Sequence, residues 1–358
     1  MRSHTGSLLL LLALVLASCG TDAASTSSSA WSRIQHDEAT FGGEMHQIME
    51  SVTAGGPGVV AVGSSGSDES TDAAVWTSPD GLTWSRVAHN EEIFGGQVMS
   101  GVTAGGPGLV AVGQDVVWTS PDGITWSKVV LTGASMKSVT SGGPGLVAVG
   151  DGVLTSSDGL TWSRAEGDER AFDGLMLSVS VGGPGLVAVG IEAAQDRPDA
   201  AVWTSRDGLT WSRVAHDPAV FGDAEMWGVT AGGPGIVAVG RTGDGDAAVW
   251  TSPDGIIWSR AIDMVLGGAG EQAMSSVTVT DEGLTAVGWD EASGDDAAVW
   301  TSPDGVLWSR VPPDDVALHA DSVQAMLGVT AAGPGVVAVG WADGEPRDAA
   351  VWIETQGG

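Results

Sequence analysis

The segment from Ser51 to Gly63, SVTAGGPGVVAVG, returns with small changes beginning near residues 101, 138, 178, 228, 276 and 328, seven copies in all. A second segment, AVWTSPDGLTWSR from Ala74 to Arg86, recurs with its second tryptophan at 126, 162, 211, 258 and 308. Its ending also stands alone at Trp31-Ser32-Arg33, whereas the last copy, from Ala350, stops at Gly358 without one. A repeat of this length means stacked supersecondary units, none of which can bury its apolar face alone.

Each unit reads as four short strands, in the first copy about 49–54, 59–63, 73–78 and 83–87. Gly55-Gly56-Pro57-Gly58 joins the first two, with Pro57 and Gly58 suiting the centre of a type II turn, and Ser78-Pro79-Asp80-Gly81 joins the last two as a type I turn. The Val-rich second strands look buried on both faces. No stretch has convincing helical periodicity. The expectation is an all-β, seven-bladed β-propeller of four-stranded blades, closed by the N-terminal strand (31–33) pairing with the C-terminal blade (349–354). Such closure would remove the free edges that invite aggregation.

Forty-five acidic against 14 basic residues give a formal charge of −31, which excludes nucleic-acid partners because the surface repels phosphate. An apolar share of 42% supplies a core and excludes disorder. Tyr is absent, so no mechanism can use a phenol nucleophile.

The motif Ser78-x-Asp80-Gly81-x-Thr83-Trp84 resembles the Asp-box (BNR) repeat of sialidases, sortilin-type receptors and related propellers, with one residue fewer between Asp and Gly than usual. It recurs at 120–126, 156–162 and 205–211, and without the Thr at 252–258 and 302–308. The resemblance implies a structural turn: Asp80, Asp122, Asp158, Asp207, Asp254 and Asp304 would accept backbone N–H groups while the Trp packs beneath. Six scattered carboxylates do not converge on one catalytic or metal site.

At the N-terminus, Arg2 precedes an apolar run from Leu8 to Leu16, too short to span a bilayer, which ends in Leu16-Ala17-Ser18-Cys19. This resembles a bacterial lipobox, and Cys19 is the only cysteine. The expected organisation is a lipoprotein signal peptide (1–18), a lipidated flexible tether (19–30) and the propeller (31–358). An extracytoplasmic monomer held to the cell membrane by its lipid follows. An ordinary signal peptide with a chance cysteine is the alternative.

The two glycine-rich turns should share one face and vary little. The other two connections vary in length, lie on the opposite face and hold most of the acidic residues. That face is expected to attract cationic partners, Ca²⁺ among them, with no resident cofactor or metal. Trp227, Trp289 and Trp341 break the repeat pattern and fall on this face in three consecutive units, with Arg241 among its few bases. Clustered indoles suit sugar stacking, cation binding or a protein hot spot; packing between blades is the competing account. Met49, Met99, Met136, Met176, Met226, Met274 and Met326 repeat too regularly for anything but packing or a ring at the channel mouth. His36, His89 and His216, each followed by a Phe five residues on, suit loop anchoring better than a shared zinc site.

Two classes of function compete. One is a non-catalytic binding scaffold recognising a protein or glycan, or an assembly factor for an envelope complex. The other is a sialidase-like or other glycoside hydrolase, whose sialidase form is disfavoured by the missing Tyr and by arginines dispersed over the outer strands. Fold alone establishes neither.

Overall fold

A computed structural model describes residues 30–67, 70–167, 171–192, 197–261, 266–291, 296–312, 317–318, 323–342 and 346–355. Cys19, the signal peptide and the tether up to residue 29 lie outside these. Among the described residues no helix is long and apolar enough to cross a membrane.

The chain is an all-β propeller, but the expected seven separate four-stranded blades are not what forms. Among the described residues there are six sheets: four of four strands, one of five and one of six. No sheet closes on itself. The reason lies in the second copy of the repeat and its junction with the third, where the connections are short. The link after Gly113 shrinks to Gln114-Asp115, so the two middle strands run on as one, Gly108–Ser120, with a bulge and a positive φ of 58° at Asp115. The next link likewise carries no loop, and the strand Ser127–Gly142 pairs first with Gly108–Ser120 and then with Gly145–Gly150. One strand thus serves as the outer edge of one repeat and the inner edge of the next, and two repeats merge into a single sheet. The fifth strand of its neighbour is Glu166–Gly167, which pairs in parallel with Thr210–Arg213.

The ring is made by packing between sheets, the innermost strand of each touching the next until Gln324–Ala332 meets His46–Gly55. The N-terminal strand Ala30–Arg33 pairs antiparallel with Asp348–Thr355, opposing Trp31 to Glu354. The core lies between sheets. The second strands are inaccessible on both faces, as Val59, Val60, Ala61 and Val62 show. Trp76, Trp118, Trp203, Trp250, Trp300 and Trp352, all from third strands, are buried to 1% exposure or less. At about 25 cal/mol per Å² an indole of about 200 Å² contributes about 5 kcal/mol of transfer free energy. The repeated methionines are buried in the same inter-sheet clusters, Met49 beside Val337 and Val339.

The first turn is centred one residue earlier than its sequence suggests. Gly55 pairs with Gly58, so Gly56 and Pro57 form the tip, and the φ of +57° at Gly56 is that of a primed hairpin turn, whose twist matches the strands. Three one-turn helices, Glu38–Phe41, Glu91–Phe94 and Pro218–Phe221, are too short to leave a periodic pattern. Each ends on a buried Phe, and the carbonyl just before it accepts the indole N–H of Trp76, Trp118 or Trp250 at 2.7–2.8 Å.

Candidate functional site: the tryptophan-bearing channel mouth

Every innermost strand carries a bulge at the residue following its methionine. The register skips Glu50, Ser100, Lys137, Leu177, Trp227, Ser275 and Leu327. A bulge leaves its residue outside the ladder and re-aims the side chain. All seven line one central cavity of about 190 Å³. Because this place in the repeat is free of the ladder, its chemistry differs from copy to copy. Burial pushes the Glu50 carboxyl above the ordinary glutamate range, partly offset by the charge of Lys137.

Trp227 is one of these bulge residues. Arg241, Trp289 and Trp341 share a different register position, one residue beyond the glycine opposite the methionine of their own sheets. Trp289 is flanked across the sheet by Ala273 and Ala297, and Trp341 by Ala325 and Ala349. All three indoles are half-buried.

The structure brings these residues together. Trp227 and Trp289 stack with ring centroids 5.2 Å apart at 23°. The Arg241 guanidinium lies 5.0 Å from the Trp227 centroid. Glu225 fixes both, accepting the Trp227 indole N–H at 2.8 Å and pairing with Arg241 at 3.2 Å, while Glu271 lies 3.5 Å from Arg241. Arg241 is thus charge-compensated and positions Trp227.

Trp289 and Trp341 line one cavity of about 290 Å³ with Glu291, Gln324, Leu327 and Arg347. The Arg347 guanidinium lies 4.2 Å from the Trp341 centroid. Gln324 is 1% exposed; its amide donates to the Leu318 carbonyl at 2.7 Å, and among the described residues its buried side-chain oxygen has no hydrogen-bond partner, as with Gln47 and Gln272. Leu327 borders both this cavity and the central one. Glu291, Gln324 and the bulge residue Glu50 escaped the sequence reading. Gln324 does have a signal, since Gln47 and Gln272 stand at the same place before their methionines.

The Asp-Gly turns lie at the far end of the ring. Asp80 Oδ1 accepts the N–H groups of Leu82 at 2.8 Å and Thr83 at 2.7 Å, and the Trp84 indole donates to the Gly81 carbonyl at 3.0 Å. The same bonds form at Asp122, Asp158, Asp207, Asp254 and Asp304. The N–H of Thr83, then that of Leu82, holds the Asp80 carboxyl below the usual aspartate range.

Among the described residues, two groups could hold a cation. His36, Glu38 and Asp348, and likewise Asp72, His89 and Glu91, each bring three ligand atoms within 4.8 Å of one another. At the equivalent loop His216 keeps its aspartate partner, Asp199, at 3.5 Å although Pro218 replaces the glutamate. The His–Asp contact therefore joins loop to strand without a third ligand.

Solved structures of similar shape are distant in sequence. A Trypanosoma rangeli sialidase bound to the inhibitor DANA superposes with a TM-score of 0.54 at 14% identity, over 91% of this chain and 60% of that one. The same enzyme with sialic acid gives 0.48 at 14% identity, over 91% and 57%. A gluconolactonase-like structure gives 0.44 at 15% identity, over 71% and 87%. The chain spans about three-fifths of the sialidase chains it matches, and the likeness to the inhibitor-bound enzyme establishes the propeller fold. No curated protein matches the sequence. A family model, the DUF6242 beta propeller domain, matches residues 28–283, most of the chain, and the protein belongs to that family.

Proposed function

We infer that this is a lipid-anchored, extracytoplasmic binding propeller of the Asp-box type that recognises a glycan, without catalysis, at the cavity between Trp289 and Trp341. The observation that carries the reading is the meeting in that cavity of two half-buried indoles with the Arg347 guanidinium. Indoles offer apolar faces to a sugar ring, and Arg347 and Glu291 offer polar partners to its hydroxyls. Trp227 backs Trp289 from the channel side, so the platform is already ordered. A cavity of about 290 Å³ suits one terminal sugar residue better than a long chain.

Hydrolysis by the usual route would need two carboxyl groups flanking the scissile bond. Among the described residues the cavity lining supplies one, Glu291. The test is a glycan panel probed with the full chain, with and without Ca²⁺, beside folded Trp289→Ala and Trp341→Ala variants. Selective binding lost in both variants supports the reading. Binding that survives both, or turnover of any bound glycan, overturns it.

A further inference from the structure

The face opposite the tryptophans has a chemistry of its own. The residue after each Asp-Gly is aliphatic in all six copies: Leu82, Ile124, Leu160, Leu209, Ile256 and Val306. These side chains are 45–59% exposed. In two successive copies a second aliphatic follows where the others have Thr, and Ile257 and Leu307 are 67% and 66% exposed. The turn does not require this. Its hydrogen bonds to the aspartate come from the backbone N–H of these residues, so any polar side chain would serve the fold equally well. Scattered exposed aliphatics need no explanation, but the same exposed position filled six times around one rim does.

The chain also enters on this face. Ala30 pairs with Thr355, and Thr355 pairs with Gly335, the residue that follows the Gly333-Pro334 turn. That turn packs against the Asp-Gly turn of the next repeat: a Cβ placed on Gly81 would lie 3.2 Å from Pro334. Residue 30 therefore stands at the aliphatic rim, remote from the tryptophans. From Cys19 to Ala30 the chain can reach at most about 40 Å, at about 3.6 Å per residue. Most acidic loops point the other way; on this side the six Asp-Gly aspartates are tied to backbone N–H groups, and Asp281 and Glu282 stand exposed at the tip of one turn.

We propose that the aliphatic rim rests on the surface of a lipid bilayer, with the tether emerging beneath it and the tryptophan face turned outward. The tether's part rests on the lipid-anchor reading above; the contact of rim with bilayer does not.

The test separates the two. The full chain is coupled through Cys19, its one thiol, to a maleimide lipid in phosphatidylcholine vesicles carrying a diazirine phosphatidylcholine, and illuminated. Lipid adducts are expected on Leu82, Ile124, Ile256, Ile257, Val306 and Leu307 and absent around Arg241 and Trp341. The variant Ile256→Asp/Ile257→Asp/Val306→Asp/Leu307→Asp, exposed at every changed position, should keep its circular dichroism and lose the adducts at its rim several-fold. Adducts spread equally over both faces, or rim adducts unchanged in the variant, overturn the proposal. The mass of the N-terminal peptide of protein isolated from cells reports the anchor separately: an unacylated Cys19 refutes the anchor and leaves the rim result standing.

Discussion

The Trp227 indole stacks on that of Trp289 across the boundary between two sheets, and the two residues reach each other by different routes. Trp227 is turned toward the channel by a bulge, while Trp289 stands in regular register on its second strand. A double-mutant cycle with Trp227→Ala and Trp289→Ala should return a coupling of about 0.5–1.5 kcal/mol in denaturant unfolding, the value of an aromatic pair beyond its buried area. Additive losses would mean that the rings pack independently.

Glu50 is the bulge residue with the opposite character, a carboxylate walled in by the channel. Its pKa is raised by burial, so the folded state favours the protonated form, and ionisation costs stability as pH rises past the ordinary value of 4.5. Glu50→Gln should therefore raise the urea midpoint at neutral pH, and the gain should vanish below about pH 4. Lys137→Met should lower the midpoint at neutral pH, because it removes the one charge that offsets the burial. A neutral-pH gain that persists in acid would assign the effect to packing instead.

Gly56 tests the turn as observed. Its φ of +57° lies where a side chain costs about 1–2 kcal/mol, and a Cβ there would come within 2.9 Å of Leu109 in the adjoining repeat. Gly56→Ala should lower stability by at least that amount by chemical denaturation, whereas Pro57→Ala should cost less. The reverse order would restore the later turn centre that the sequence suggests.

What the sequence made legible, and what it did not, follows from which forces act locally. Strands and turns could be read because each copy repeats the same valines, glycines and tryptophans. Trp227, Trp289 and Trp341 stood out because they break that repetition. The number of sheets could not be read, since the pairing of Ser127–Gly142 with strands of two successive repeats depends on how closely those repeats approach, not on either repeat's pattern. Glu50 was missed for a related reason. A strand's alternation predicts which residues face inward only until a bulge shifts it, and no residue type marks these bulges: their sites hold Glu, Ser, Lys, Leu and Trp alike.

The six aspartates of the Asp-Gly turns set the acid limit of the fold. Each accepts two backbone N–H bonds, which hold its pKa below the ordinary 3.8. A carboxyl whose folded pKa is depressed gives stability that is complete above its unfolded value and lost as pH falls through the folded one. The melting temperature should thus hold down to about pH 4 and then fall as the pH drops below the ordinary aspartate value. Asp80→Asn should lower it at neutral pH and flatten the acid limb, since the amide cannot protonate there; parallel acid limbs for variant and parent would remove these turns as the cause. The copies should also differ. Thr83 adds a hydroxyl bond to Asp80 at 3.3 Å, whereas Ile257 offers Asp254 only its N–H, at 2.8 Å. Asp254 should therefore protonate at higher pH than Asp80 in a carboxyl-resolved NMR titration, and Thr83→Val should bring the two together.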